Sequence, residues 1–145
     1  MANIKNVEQL KDVLVKIKEF GVFKEPEIFI TQINEVQEQR LKLNNMLTKN
    51  GVPDYFLAQE VIDSAEQNIC NNIESAIMKI ENADFSDIFS TNDAMNYLKN
   101  MADQNKKELE KSQNFLFSVA DLLNQQGDNA DYESVNAFLK NPVFE

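Results

Sequence analysis

The sequence predicts an all-α fold, a bundle of four principal helices plus a short C-terminal one, with residues 1–145 as a single helical domain. Three observations lead there. Apolar residues recur at alternating spacings of three and four, the period of one helix face, and the pattern never becomes the strict alternation of a strand. The breakers are few, Gly21, Pro26, Gly51, Pro53, Gly127 and Pro142, and they fall between the periodic runs. A chain of 145 residues that is 43% hydrophobic supports one core.

The first helix is expected from about Val7 to Phe20, with Asn6 as its N-cap. Val7, Leu10, Leu14 and Ile17 form its stripe, Val13 and Phe20 flank it, and Gly21 closes it in a left-handed conformation. The second starts near Pro26, which suits a first turn because its missing N–H would be unpaired there, and runs to about Asn50. Its seam is Phe29, Ile33, Val36, Arg40, Leu43 and Leu47. Arg40 interrupts that seam, and the expectation is that its guanidinium snorkels to the edge rather than meeting a buried carboxylate.

Val52 and Pro53 open the third helix, expected to reach about Glu81 on Ala58, Ile62, Ala65, Ile69, Ile73, Ala76 and Ile80. Alanines between isoleucines suit close approach of a neighbouring helix. Residues 82–90 are rich in capping side chains and predict a turn pinned to the core by Phe85, Ile88 and Phe89, with Ser90 and Asp93 as a shortened capping box.

The fourth helix is the longest pattern: Met95, Leu98, Ala102, Asn105, Leu109, Ser112, Leu116, Val119 and Leu123, a partial heptad. It predicts a rod of roughly 45–50 Å. Asn105 and Ser112 occupy seam positions in a polar middle, which is expected to be wet, between apolar ends. Asp131–Lys140 carries Tyr132, Val135, Phe138 and Leu139 and predicts a short helix, stopped by Pro142 so that 141–145 forms an extended tail.

Function is bounded mainly by exclusion. With no histidine, imidazole catalysis, histidine metal sites and His-bearing di-iron bundles are removed. Three glycines leave no phosphate-cradling loop. The single Cys70 beside an apolar seam is expected to pack as a small hydrophobe. Asp128, Asn129, Asp131 and Glu133 have the composition of a calcium loop but lack its glycine and its final bidentate acid, the latter place being held by Leu139. Asp84, Asp87 and Asp93 have no metal-ligand spacing. The expectation is therefore no catalytic residue, no cofactor and no metal.

A net charge of −10 opposes direct binding to nucleic acid, and no run approaches the ~18 apolar residues of a membrane span. A start without a long apolar core, together with one unpaired cysteine, points to the cytoplasm or a particle assembled there. The expected function is a non-catalytic protein–protein interaction component: an adaptor, chaperone or assembly factor, of a viral particle or secretion assembly. Its partner is a protein or a second copy of the chain. The expected contact residues are Leu116, Val119 and Leu123 on the fourth helix and Val143 and Phe144 in the tail. The alternative is an acidic inhibitor that blocks a nucleic-acid-binding protein through Glu60, Asp63, Glu66, Glu74 and Glu81 on the third helix.

Overall fold

The computed structural model describes residues 7–51 and 56–126, and those residues form four α-helices with no strand among them. They are α1 (Val7–Glu19), α2 (Glu25–Lys49), α3 (Phe56–Glu81) and α4 (Ile88–Gln126). The expected N-cap Asn6, the Val52-Pro53 opening, the short helix 131–140 and the tail 141–145 lie outside the described residues.

Helices α1 and α2 both end on a glycine in the left-handed region. Gly21 and Gly51 have φ of +70°, where a side chain would be strained, and their N–H groups donate to the carbonyls of Lys18 and Thr48 at 3.0 and 3.1 Å. Helix α4 opens instead on Asp87, whose carboxylate accepts the Phe89 N–H at 3.0 Å. Ser90 is thus inside the helix rather than its cap, and its hydroxyl accepts the Asp84 N–H at 2.8 Å.

The chain divides into two compact units that share three helices. Unit 1 takes α1, α2 through Asn34, α3 from Gln67 and α4 through Glu108. Unit 2 takes α2 from Glu35, α3 through Glu66 and α4 from Leu109. In unit 1, α3 and α4 run antiparallel, as the pairs Lys79–Asp93, Asn72–Asn105 and Asn68–Glu108 require. In unit 2, α2 and α3 run antiparallel, joined through Arg40–Glu66 and Asn44–Gln59.

The core follows the predicted seams: Leu10 and Leu14 of α1, Phe29 and Ile33 of α2, Ile69 and Ile73 of α3 and Leu98 of α4 are fully buried in unit 1. Val36, Leu43, Ile62, Phe115 and Val119 are their counterparts in unit 2. Full burial of each such side chain is worth about 1.5–3 kcal/mol. Ile17 and Ile80, placed in the core by periodicity, are only half-buried, because each sits in the last turn of its helix where neighbours run out.

The polar middle of α4 is exposed on its outer face, but its seam positions are not wet. Asn105 and Ser112 are buried and bonded in two tiers of the same design. In unit 1, Gln32 Nε2 donates to the Ala102 carbonyl at 2.9 Å and Gln32 Oε1 accepts from Asn105 Nδ2 at 2.9 Å. Asn72 Nδ2 on α3 donates to Asn105 Oδ1 at 3.0 Å, so this tier joins three helices. In unit 2, Gln39 Nε2 donates to the Leu109 carbonyl at 3.2 Å and Gln39 Oε1 accepts from the Ser112 hydroxyl. Partners are 70 and 73 residues apart in both tiers, which is what two helices running in the same direction produce.

Candidate functional site

Five of the large apolar side chains that the core does not absorb, including the three most exposed, belong to unit 1 at the turns that precede α2 and α4. Gly21 reverses the chain after α1 and leaves Phe20 and Val22 on the outside while Phe23 turns inward and is buried. The ring of Phe23 meets that of Phe85 with centroids 5.8 Å apart and planes at 57°, a tilted pair of the kind aromatic quadrupoles favour. This contact brings the two turns together.

Phe85, Ile88 and Phe89 at one turn and Phe20 and Val22 at the other are all exposed, Phe20 by 80% and Phe89 by 81%. The expectation that Phe85, Ile88 and Phe89 pin this turn to the core is corrected. Phe85 makes an anchoring contact, through Phe23, whereas the Asp87 cap starts α4 in a phase that leaves Ile88 and Phe89 exposed. Phe20 is likewise not a core residue, since α1 ends before it. Exposed apolar side chains of this size, where they form one patch, mark sites of association.

The rim is charged on both sides. Lys16, Lys18, Glu19 and Lys24 are exposed near the first turn, and Lys18 pairs with Glu27 at 3.5 Å. Asp84 and Asp87 are exposed at the second. Hydrogen bonds from the Ser86 hydroxyl and main-chain N–H, at 2.6 and 3.0 Å, hold the Asp84 carboxyl below its usual range. Just before this turn, Ser75, Met78, Lys79 and Asn82 of α3 and Tyr97 of α4 line an open hollow of about 300 Å³. Lys79 Nζ lies 2.6 Å from Asp93 and 5.6 Å from the Tyr97 ring centre, so its charge is satisfied within the chain. The surface of the hollow is mostly apolar.

The residues singled out from sequence are placed differently. Leu116, Val119 and Leu123 pack inside unit 2, and the large apolar residue that α4 shows to solvent there is Phe117. Val143 and Phe144 lie outside the described residues. In unit 2, Glu60 and Asp63 are exposed and Glu66 is half-buried; in unit 1, Glu74 is half-buried and Glu81 exposed. Arg40 does not snorkel free. Its guanidinium donates to both Glu66 oxygens, at 3.1 and 3.3 Å, and to Asp63. Burial alone would lower the Arg40 pKa, but these hydrogen bonds and charges outweigh it and raise it. Two carboxylates of the acidic stripe are thus engaged within the chain.

Cys70 is half-buried and forms no disulfide. Among the described residues no group of three or more Cys, Asp or Glu side chains could hold a metal ion, and no helix is long and apolar enough to cross a membrane. Compared with known protein families, with curated proteins and with solved structures, the chain matches none.

Sequence reasoning missed Phe20, Val22, Phe85, Ile88 and Phe89 as a surface. The available signal was negative: Ile88 and Phe89 are followed three and four positions on by Thr91, Asn92 and Asp93, and Val22 by Glu25 and Pro26, so none of the three continues an apolar stripe into the next helix.

Proposed function

We propose that this protein is a non-catalytic interaction component, an adaptor or assembly factor, that binds a protein partner through the apolar surface formed by Phe20, Val22, Phe85, Ile88 and Phe89. The observation that carries this reading is the exposure of three phenylalanines around the Phe23–Phe85 contact. Burying one such ring removes apolar area worth about 1.5–3 kcal/mol, and aromatic side chains in a desolvated patch are the usual anchors of an interface. In this reading the three-and-four pattern of α4 is a partial heptad that builds the scaffold. Residues 131–140 supply a short helix, and Val143 and Phe144 offer a second contact.

The test compares the wild-type chain with Phe89→Asp in a tagged capture from the native source, washed with nuclease and high salt and read by mass spectrometry. A stoichiometric protein retained by the wild type and lost by F89D, with unchanged helix content by circular dichroism, supports the reading. Equal capture by both proteins overturns it. A partner held by both and released by salt alone moves the assignment to the acidic inhibitor.

A further inference from the structure

The two buried polar tiers do something that the apolar core does not. A buried amide left unpaired costs about 1–3 kcal/mol, and replacing a satisfied buried polar group by an apolar one of similar shape is often neutral or stabilising. Stability is therefore a poor reason for Gln32, Gln39, Asn105 and Ser112 to sit in the seam. Direction is a better one. Each glutamine uses both ends of its amide on α4: Nε2 donates to a main-chain carbonyl, and Oε1 accepts from the side chain three residues further along. Both bonds form only when α4 has the right height along α2 and the right rotation about its own axis.

Apolar seams carry no such information. Leu, Ile and Val at alternating three and four spacing meet equivalent neighbours again after a displacement of seven residues, and dispersion contacts are not directional. The two tiers are themselves seven residues apart on both helices, so a displacement by that amount would bring Gln39 to Asn105 and keep one tier's bonds. Asn72 distinguishes them. It bonds Asn105 from α3, and no corresponding α3 bond to Ser112 occurs among the described residues.

We infer that Gln32, Asn72 and Asn105 act as a register lock, selecting one axial and rotational alignment of α2, α3 and α4 in unit 1 at a cost in stability, with Gln39 and Ser112 repeating the α2–α4 part in unit 2. The lock is independent of the partner-binding surface, since none of its residues belongs to it.

The test uses the full chain with Cys70→Ala and spin labels at Lys42→Cys and Glu110→Cys, both exposed positions of unit 2. Seven residues along a helix span about 10 Å, so a changed register is visible as a second distance. The parent is expected to give one narrow distance and one amide peak per residue in a nitrogen–proton spectrum. With Gln32, Gln39, Asn72 and Asn105 changed to Leu and Ser112 to Ala, so that neither tier holds the alignment, the expected result is retained helix content, a midpoint of thermal unfolding raised by about 4 °C or more, and a second distance with duplicated peaks. A single parental distance and single peaks in this variant overturn the lock. Loss of helix or a lowered midpoint in it overturns the lock as well, because the tiers would then be a source of stability.

Discussion

Units 1 and 2 are built from the same three helices, and they tie α3 to its neighbours by different chemistry. In unit 1 the link is neutral: the Asn72 amide on α3 joins Asn105 on α4, which in turn meets Gln32 on α2. In unit 2 it is ionic, through Arg40 of α2 to Glu66 and Asp63 of α3. A buried neutral network is insensitive to salt and intolerant of a missing member, whereas a half-exposed ion pair is screened and its loss is softened by water. One set of helices can thus carry a rigid tier and a salt-dependent one. Unit 1 also contains α1 and the exposed phenylalanines, so the more strictly specified alignment accompanies the surface assigned to binding.

The largest expected effect ignores this difference and tests whether the units are energetically separable. Leu98→Ala in unit 1 and Leu116→Ala in unit 2 each remove a buried side chain and should each cost about 2–5 kcal/mol. Because α2, α3 and α4 belong to both units, either substitution is expected to shift one cooperative urea transition without splitting it. Two resolved transitions would mean that the units unfold separately.

The next effect separates the two tiers. Asn105→Ala leaves the Gln32 carbonyl oxygen and the Asn72 amide without their buried partner and is expected to cost about 1–3 kcal/mol. Ser112→Ala removes one partner of Gln39, whose Nε2 keeps the Leu109 carbonyl, and is expected to cost about 1 kcal/mol or less. Equal losses by chemical denaturation would show that Asn72 adds nothing to the tier of unit 1.

Much of this architecture is legible in the sequence. The seams of α2 and α3 are the buried faces, because a stripe such as Phe29, Ile33, Val36, Leu43 and Leu47 can be hidden only by turning one side of a helix inward. What failed were residues whose environment depends on a partner distant in sequence. Asn105 and Ser112 look hydrophilic by composition and are buried because Gln32 and Gln39, each 73 residues away, satisfy them. Arg40 looked destined for the edge because nothing in α2 alone reveals Glu66 opposite it. The exposed phenylalanines escape notice for the complementary reason: Phe85 and Phe89 look like core residues by hydrophobicity, and only the geometry set by the Asp87 cap turns Phe89 outward.

Arg40→Ala sharpens the ionic side of the comparison. It leaves the exposed Asp63 and half-buried Glu66 facing each other, and the expected loss is about 1 kcal/mol at low salt. Raising the salt should shrink the difference from wild type, while the Asn105→Ala deficit stays constant. The raised Arg40 pKa means that its contribution is fully present below the ordinary arginine value and is lost only at more alkaline pH, so titration between pH 6 and 9 is expected to leave it unchanged.

The smallest effect lies at the turn before α4. Asp84 accepts two hydrogen bonds from Ser86, and its carboxyl is held below the ordinary value of 3.8. A group whose pKa falls on folding stabilises the fold above its unfolded value and ceases to do so as pH drops through the folded one. Asp84→Asn should therefore melt slightly lower than wild type from pH 5 to 8, with the gap closing below about pH 3.8. Full exposure of the carboxylate keeps the effect small. Phe85 adjoins this turn, so the same substitution is expected to weaken capture of the partner far less than Phe89→Asp does; a comparable loss would mean that the turn's conformation, rather than the exposed rings, is what the partner recognises.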